Sequence, residues 1–488
     1  MRPSRRIDLF VVFASVALLL SLGFVDRLPF AWSAASSASA TAVPEADCGP
    51  GSSPETGLQG QVPLADRESG RSTRGYRCNL ELIGQFQGEG SSWVSQSYGS
   101  CAYLSTRHPS QAASPGVQVV DVSDPARPRR TTALTSPAMN GSWESLKVNP
   151  ARGLLAAVYA PAPGGNGPAF FDVYDIKSDC AHPRLLNSVS TSELSQPANL
   201  LGHEGNWSPD GRTYWATSLS AGLITAIDVA NPARPRIAYT GNTGLINHGL
   251  SISNDGNRLY IAEVGGTSGF LTGGQVRAGD PNGVKIFDVS QVQARRPLPQ
   301  ISEVGSAYWT DGAVGQHAIP VTYGGRPYLI FVDEGGAGAA RILDISDEGV
   351  PRTVSKLKLQ IHLPEHADTR AADTEGTGVF GYEGHYCDVD RPTDPTALAC
   401  GYFQSGVRVF DIRQVTTPRE IAYFNPPAQT GRNAQLESSE HAGGPLGGAL
   451  TADWCSSPPR FVGDQLWVTC QDNGFLALRF TNRAYPIR

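Results

Sequence analysis

A short apolar strand ending in aspartate recurs six times along the chain, and no other feature restricts the fold as much. The copies are Val119-Val120-Asp121-Val122, Val173-Tyr174-Asp175-Ile176, Ala226-Ile227-Asp228-Val229, Ile286-Phe287-Asp288-Val289, Ile342-Leu343-Asp344-Ile345 and Val409-Phe410-Asp411-Ile412. Their aspartates are 54, 53, 60, 56 and 67 residues apart, and a degenerate seventh copy, Phe475-Leu476-Ala477-Leu478, lies near the C-terminus. Repeats of this length are supersecondary units that bury their apolar faces only against neighbours. Several copies run on into Asx- and Pro-rich turns, as in Ser123-Asp124-Pro125 and Ala230-Asn231-Pro232, so the aspartates read as turn residues.

Another apolar strand precedes each copy, at residues 101–105, 154–159, 213–217, 258–262, 328–333, 397–403 and 465–470. With one strand before that pair and one after it, each unit has four strands, the arrangement of a propeller blade. The last unit stops after its third strand, and a spare strand at residues 79–86 precedes the first. The expected fold is therefore all-β, a seven-bladed β-propeller of four-stranded blades whose N-terminal strand completes the last blade and closes the ring. A linear β-solenoid has shorter periods and needs no such exchange. With 54 Gly and 36 Pro in 488 residues, the chain suits many short strands joined by turns.

Arg2, Arg5 and Arg6 precede the apolar run 9–25 and a small-residue stretch at 34–42, which reads as an export segment. Residues 1–40 are expected to be either a signal peptide cleaved near Ala38-Ser39-Ala40 or a retained membrane anchor, with the remainder extracytoplasmic, secreted or at the cell surface. Residues 41–78, rich in Ser, Gly, Pro and Arg, read as a flexible lead-in, and 79–488 as the propeller. Eight cysteines in an exported chain imply disulfides. Cys387 and Cys400, and Cys455 and Cys470, flank turns between consecutive strands and are expected to pair; the pairing of Cys48, Cys78, Cys101 and Cys180 stays open. A formal charge of −6, with no Lys/Arg run beyond the extreme N-terminus, argues against nucleic-acid partners. The expectation is a monomer that meets a membrane only through its N-terminus.

The hydrophobic-Asp strand resembles that of the LVIVD-repeat proteins, over roughly residues 79–480. The resemblance implies a β-propeller of an exported protein; it implies no particular activity.

A second periodic feature lies at the start of each innermost strand. The segments beginning His203-Glu204-Gly205, His248-Gly249-Leu250 and His317-Ala318-Ile319 align without gaps, His385 fits with a longer turn, and Glu144 takes the equivalent place in the second blade. Four residues after each comes an apolar residue on the same strand face: Trp207, Ile252, Val321, Val389 and Val148. Innermost strands line the axial channel, so sequence-distant residues become a ring. Neutral imidazoles bind copper, iron or zinc, and a carboxylate orients a ligand or holds a proton. The expected metal ligands are His203, His248, His317 and His385, with Glu144 in support. Distantly similar are the selenium-binding protein and methanethiol oxidase propellers, with copper-linked histidines; the carotenoid oxygenases are similar in ligand arrangement. The competing reading is structural, each histidine bonding the backbone of a neighbouring blade.

Of the other histidines, His108 and His182 sit in Pro-flanked loops, and His441 follows Glu440 in a Gly-rich loop. His362 and His366 share His-Leu-Pro-Glu-His, in which Pro364 excludes the helical zinc-protease motif. The long connections, 187–202, 264–283, 362–384 and 426–454, all fall on the face where innermost strands begin. They suit a lid or a docking surface for a protein or small-molecule ligand. No nucleophile elbow, phosphate loop or dinucleotide fingerprint is present, and no catalytic residue is assigned. The functional expectation is a binding or interaction protein with an axial metal site. Its alternatives are a copper- or iron-dependent oxidoreductase using the same histidines, or a purely structural interaction module.

Overall fold

The computed structural model describes residues 41–105, 115–159, 170–188, 203–218, 222–244, 246–265, 280–374, 380–428 and 452–487. The apolar run 9–25 expected to direct export, the expected cleavage pattern, His108 and His441 lie outside the described residues. Among those residues no helix is long and apolar enough to cross a membrane.

Two strands, β1 (Tyr76–Cys78) and β2 (Leu80–Phe86), precede the first blade. Blade 1 is β3 (Ser95–Tyr98), β4 (Cys101–Ser105), β5 (Val117–Asp121) and β6 (Arg129–Leu134). Blade 2 is β7 (Lys147–Asn149), β8 (Leu154–Val158), β9 (Phe171–Asp175) and β10 (Arg184–Ser188). Blade 3 is β11 (Glu204–Trp207), β12 (Thr213–Thr217), β13 (Leu223–Asp228) and β14 (Arg236–Asn242). Blade 4 is β15 (Asn247–Ile252), β16 (Arg258–Val264), β17 (Asn282–Asp288) and β18 (Ser302–Tyr308). Blade 5 is β19 (Ala313–Tyr323), β20 (Arg326–Gly335), β21 (Ala340–Asp344) and β22 (Arg352–Leu357). Blade 6 is β23 (Cys387–Val389), β24 (Ala397–Gly401), β25 (Val407–Asp411) and β26 (Arg419–Asn425). Blade 7 is β27 (Arg460–Val462), β28 (Gln465–Cys470) and β29 (Gly474–Phe480), with β2 as its outer strand. The expected closure of the ring by the N-terminal strand is what the sheet order shows.

Alternate residues of each strand face opposite sides of the sheet, so each blade packs against both neighbours. The apolar clusters follow that rule around the whole ring. Tyr103 and Val119 of blade 1 meet Leu155 and Tyr174 of blade 2, while Leu104 and Val120 of blade 1 meet Trp467 and Phe475 of blade 7. The last contact makes the fold a closed cycle rather than a stack.

The repeated aspartates fix turns. Asp121, Asp175, Asp228, Asp288, Asp344 and Asp411 each accept the backbone N–H two residues on, at 2.8–3.1 Å. Just before them the pairing between third and fourth strands slips by one residue in each of the six blades and again in blade 7. A bulge there increases the strand twist that a propeller blade requires.

Residues 41–78 depart from the flexible lead-in that their composition suggests. They belong to the compact unit 41–488, with a short helix at Leu64–Glu68, a 3₁₀ turn at Arg71–Arg74, and β1 added as a fifth strand to β26 of blade 6. Cys48–Cys78 staples the segment, and Glu55 pairs with Arg408, which is fully buried in β25. Long-range partners outweigh local composition here. The expected pairs Cys387–Cys400 and Cys455–Cys470 form, and the two left open are Cys48–Cys78 and Cys101–Cys180.

Candidate metal centre

Four of the five expected ligands converge where innermost strands begin. Glu144 lies just ahead of β7 and bridges the backbone of Glu204; His203 and His385 lie just ahead of β11 and β23, and His248 lies in β15. Glu144 Oε2 is 3.1 Å from His203 Nε2 and 3.2 Å from His248 Nε2, and Oε1 is 3.2 Å from His385 Nε2. The two nitrogens Nε2 of His203 and His248 are 3.0 Å apart.

His317 stands apart from this group. The pairing of β19 with β20 slips between Gly315 and His317, so Gln316 is the extra, bulged residue. A one-residue slip reverses which side chain faces the channel. Gln316 Nε2 therefore sits 3.0 Å from Glu144 Oε2 and 3.1 Å from His385 Nε2. The His317 ring instead stacks on Tyr386, 4.6 Å between centroids. The gapless alignment of His317 with His203 and His248 carried no sign of the bulge.

Glu334, at the end of β20, joins the centre without having been singled out from the sequence. Its Oε2 is 3.1 Å from His385 Nε2 and its Oε1 is 3.5 Å from His248 Nδ1. The available signal was Asp333-Glu334 closing an otherwise apolar strand, since a buried carboxylate at such a place needs a partner.

Backbone carbonyls set the orientation of two imidazoles. His248 Nδ1 donates to Gly315 O at 3.1 Å and His385 Nδ1 to Ser456 O at 2.7 Å, which leaves each Nε2 aimed at Glu144. An imidazole whose distal N–H is so held presents its other nitrogen as a ligand. Nitrogen and carboxylate acceptors then face one another 3.0–3.2 Å apart. Acceptors repel unless a proton or a cation lies between them. Metal–ligand bonds of about 2.0–2.2 Å give ligand–ligand edges of about 3 Å, so the spacing fits an ion. Gln316 Oε1, fully buried, has no hydrogen-bond partner, a further acceptor without a donor.

The electrostatics agree. Burial works against charge on His248 and His385, but Glu334 and Glu144 overcome it and push them up to about 9 and about 10. Burial also opposes the Glu144 carboxylate, yet His203, His248 and His385 hold its pKa well below the usual range. His203 is pushed down, chiefly by burial. The group thus attracts positive charge into a buried interior.

Strain and apolar walls surround it. Trp143 and Phe403 have φ of 45° and 36°; Trp143 precedes Glu144 in sequence and Phe403 packs on His385. Left-handed backbone at a β-branched or aromatic residue costs about 1–3 kcal/mol and concentrates at functional sites. Trp143 packs on His203, and Trp93 and Phe403 on His385, with ring centroids 5.1–5.5 Å apart. A Cβ at Gly249 would collide with Glu204 Oε2 and the Gln316 carbonyl, so the residue after His248 has room only for hydrogen.

Around Gly249 lies a second layer of buried polar groups. Lys147 Nζ is 3.4 Å from Glu204 Oε1 and lies 4.6 Å over the Tyr386 ring. Burial raises Glu204 to about 7, with Lys147 opposing, and lowers His317 to about 3.

Elsewhere His362 is structural: Nδ1 accepts from Leu359 N–H at 3.0 Å and Nε2 donates to Tyr382 O at 2.8 Å. His366 lies on the 3₁₀ turn Pro364–His366, and His182 makes an exposed ion pair with Asp179.

No family model matches the chain, and no curated protein does. Solved structures resemble it at low sequence identity. A candidate 6-phosphogluconolactonase of Bacteroides fragilis is 12% identical with a TM-score of 0.48, covering 77% of this chain and 92% of that one. Virginiamycin B lyase from Staphylococcus aureus is 11% identical with a TM-score of 0.44, covering 82% and 98%. Likenesses this distant add nothing on function, which has to be read from the site itself.

Proposed function

We propose that this protein is an exported β-propeller that binds a divalent transition metal, copper, iron or zinc, at its axial His/Glu centre. The observation that carries the reading is the convergence of three Nε2 atoms on Glu144, two of them with Nδ1 committed to backbone carbonyls. The donor set is imidazole and carboxylate without thiolate, because all eight cysteines are in disulfides. Those disulfides, together with the Arg2/Arg5/Arg6 and apolar 9–25 segment, support an extracytoplasmic location. In this reading the ion stabilises the mouth of the propeller, and the long loops on that face contact a protein or small-molecule partner.

A second reading, a metal-dependent oxidoreductase, is favoured by one observation: among the described residues each candidate group offers three ligands, and aromatic rings pack on His203 and His385. Such a centre keeps coordination positions open to substrate. Isothermal titration of metal-free protein with Zn²⁺ and Cu²⁺ tests the common element. Saturable binding that His248→Ala abolishes supports it, and no binding by the unsubstituted chain overturns it. Oxygen consumption by the copper- or iron-loaded protein then separates the oxidoreductase from the binding protein.

A further inference from the structure

Building on that metal-binding reading, we infer that the axial centre takes two divalent ions, with Glu144 bridging them through its two carboxylate oxygens. The potential ligands fall into two groups of three, Glu144, His203 and His248, and Glu144, Glu334 and His385, within each of which the ligand atoms lie inside 4.8 Å of one another. Glu144 is the member they share, and it divides its oxygens between them. Oε2 faces His203 and His248, and Oε1 faces His385.

An ion held by His203, His248 and Glu144 Oε2 uses one side of the carboxylate. On the other side His385 Nε2 faces Glu144 Oε1 at 3.2 Å and Glu334 Oε2 at 3.1 Å, with its Nδ1–H committed to Ser456 O. A neutral His385 then leaves a nitrogen lone pair against two buried carboxylate oxygens. Glu334 is 4% exposed, and its second oxygen lies 3.5 Å from His248 Nδ1, whose hydrogen is directed to Gly315 O. Buried carboxylates without a cation are costly, so the gap at His385 Nε2 takes either a proton or an ion of its own, and an ion there would displace that proton. Gln316 supplies a single amide donor, near Glu144 Oε2 and His385 Nε2, and its Oε1 has no partner. With the amide turned over, Oε1 reaches the same point as a neutral oxygen ligand. Two ions bridged by one carboxylate stand about 3.5–4 Å apart in known two-metal sites, a span one carboxylate covers.

The experiment uses the full exported chain, stripped of metal and loaded with Cu²⁺, the strongest binder of the first-row divalent series. Copper surviving gel filtration against a weak chelator is counted, and the electron paramagnetic resonance spectrum is recorded. The expected result is two copper ions per chain with a spin-coupled spectrum, and one ion with an isolated-ion spectrum in Glu334→Gln. A single ion with an isolated-ion spectrum in the unsubstituted chain overturns the pair while leaving a one-metal centre standing; no retained copper overturns both. If Glu334→Gln fails to fold, the count and coupling of the unsubstituted chain decide alone.

Discussion

His203 and His248 present their Nε2 atoms to each other at 3.0 Å, on adjacent blades and over the same carboxylate oxygen of Glu144. Two imidazole nitrogens approach so closely only around a shared proton or a shared ion. Replacing Glu144 with Gln keeps the shape and removes the charge, so metal affinity is expected to fall by at least about a hundredfold, beyond the range seen for outer ligands. Calorimetric titration reads this, and an unchanged affinity would remove Glu144 from the centre.

The pH dependence of the metal-free protein follows from His248 and His385, raised to about 9 and about 10 in the fold against 6.5 for the free side chain. A raised histidine contributes stability that is complete below pH 6.5 and is lost as pH climbs through the folded value. The metal-free chain should therefore weaken between about pH 7 and 10, while apparent metal affinity rises over the same window, by up to about tenfold per pH unit for each proton displaced. Denaturant unfolding at several pH values, with and without metal, checks both. Stability that rises toward pH 10 in the metal-free chain would contradict the assignment.

The N-terminal segment is predicted to be structural because of one buried ion cluster. Arg408, fully buried, pairs with Glu55 from the lead-in and with Glu420 at 3.0 Å, and Glu420 accepts from Gln59 at 3.0 Å. Glu55→Gln leaves part of the Arg408 charge uncompensated and should cost about 3–5 kcal/mol, the usual result of breaking a buried pair from one side. Chemical denaturation measures it; a loss under about 1 kcal/mol would mean water reaches the cluster.

Two disulfides should differ in value. Cys101–Cys180 ties β4 of blade 1 to blade 2 across 79 residues, whereas Cys387–Cys400 closes 13 residues within blade 6. Loop-closure entropy predicts that removing the first by paired Ser substitutions costs about 4.5 kcal/mol and the second about 3 kcal/mol. Thermal unfolding of the two variants gives the order, and the reverse order would place the stabilisation in native contacts instead.

The blades were legible because each aspartate has a local job, accepting an N–H two residues on, and local jobs leave a pattern in sequence. Ring closure was legible by counting strands. The centre was legible in part: His203, His248, His385 and Glu144 arrived together although β15 slips against β16 beside His248, whereas the bulge at Gln316 displaced His317. Glu334 belongs to the second strand of its blade, so the first-strand pattern never pointed to it. The lead-in misled for a related reason, since its order comes from Cys78, Arg408 and β26, partners that composition does not record.

The most direct test is elemental analysis of the purified full-length protein, beside a His203→Ala/His248→Ala variant whose circular dichroism verifies the fold. The account predicts transition metal in stoichiometric amount in the unsubstituted chain and its loss in the folded variant. Metal absent from both, or retained by the folded variant, would contradict an axial centre built on Glu144 and its histidines.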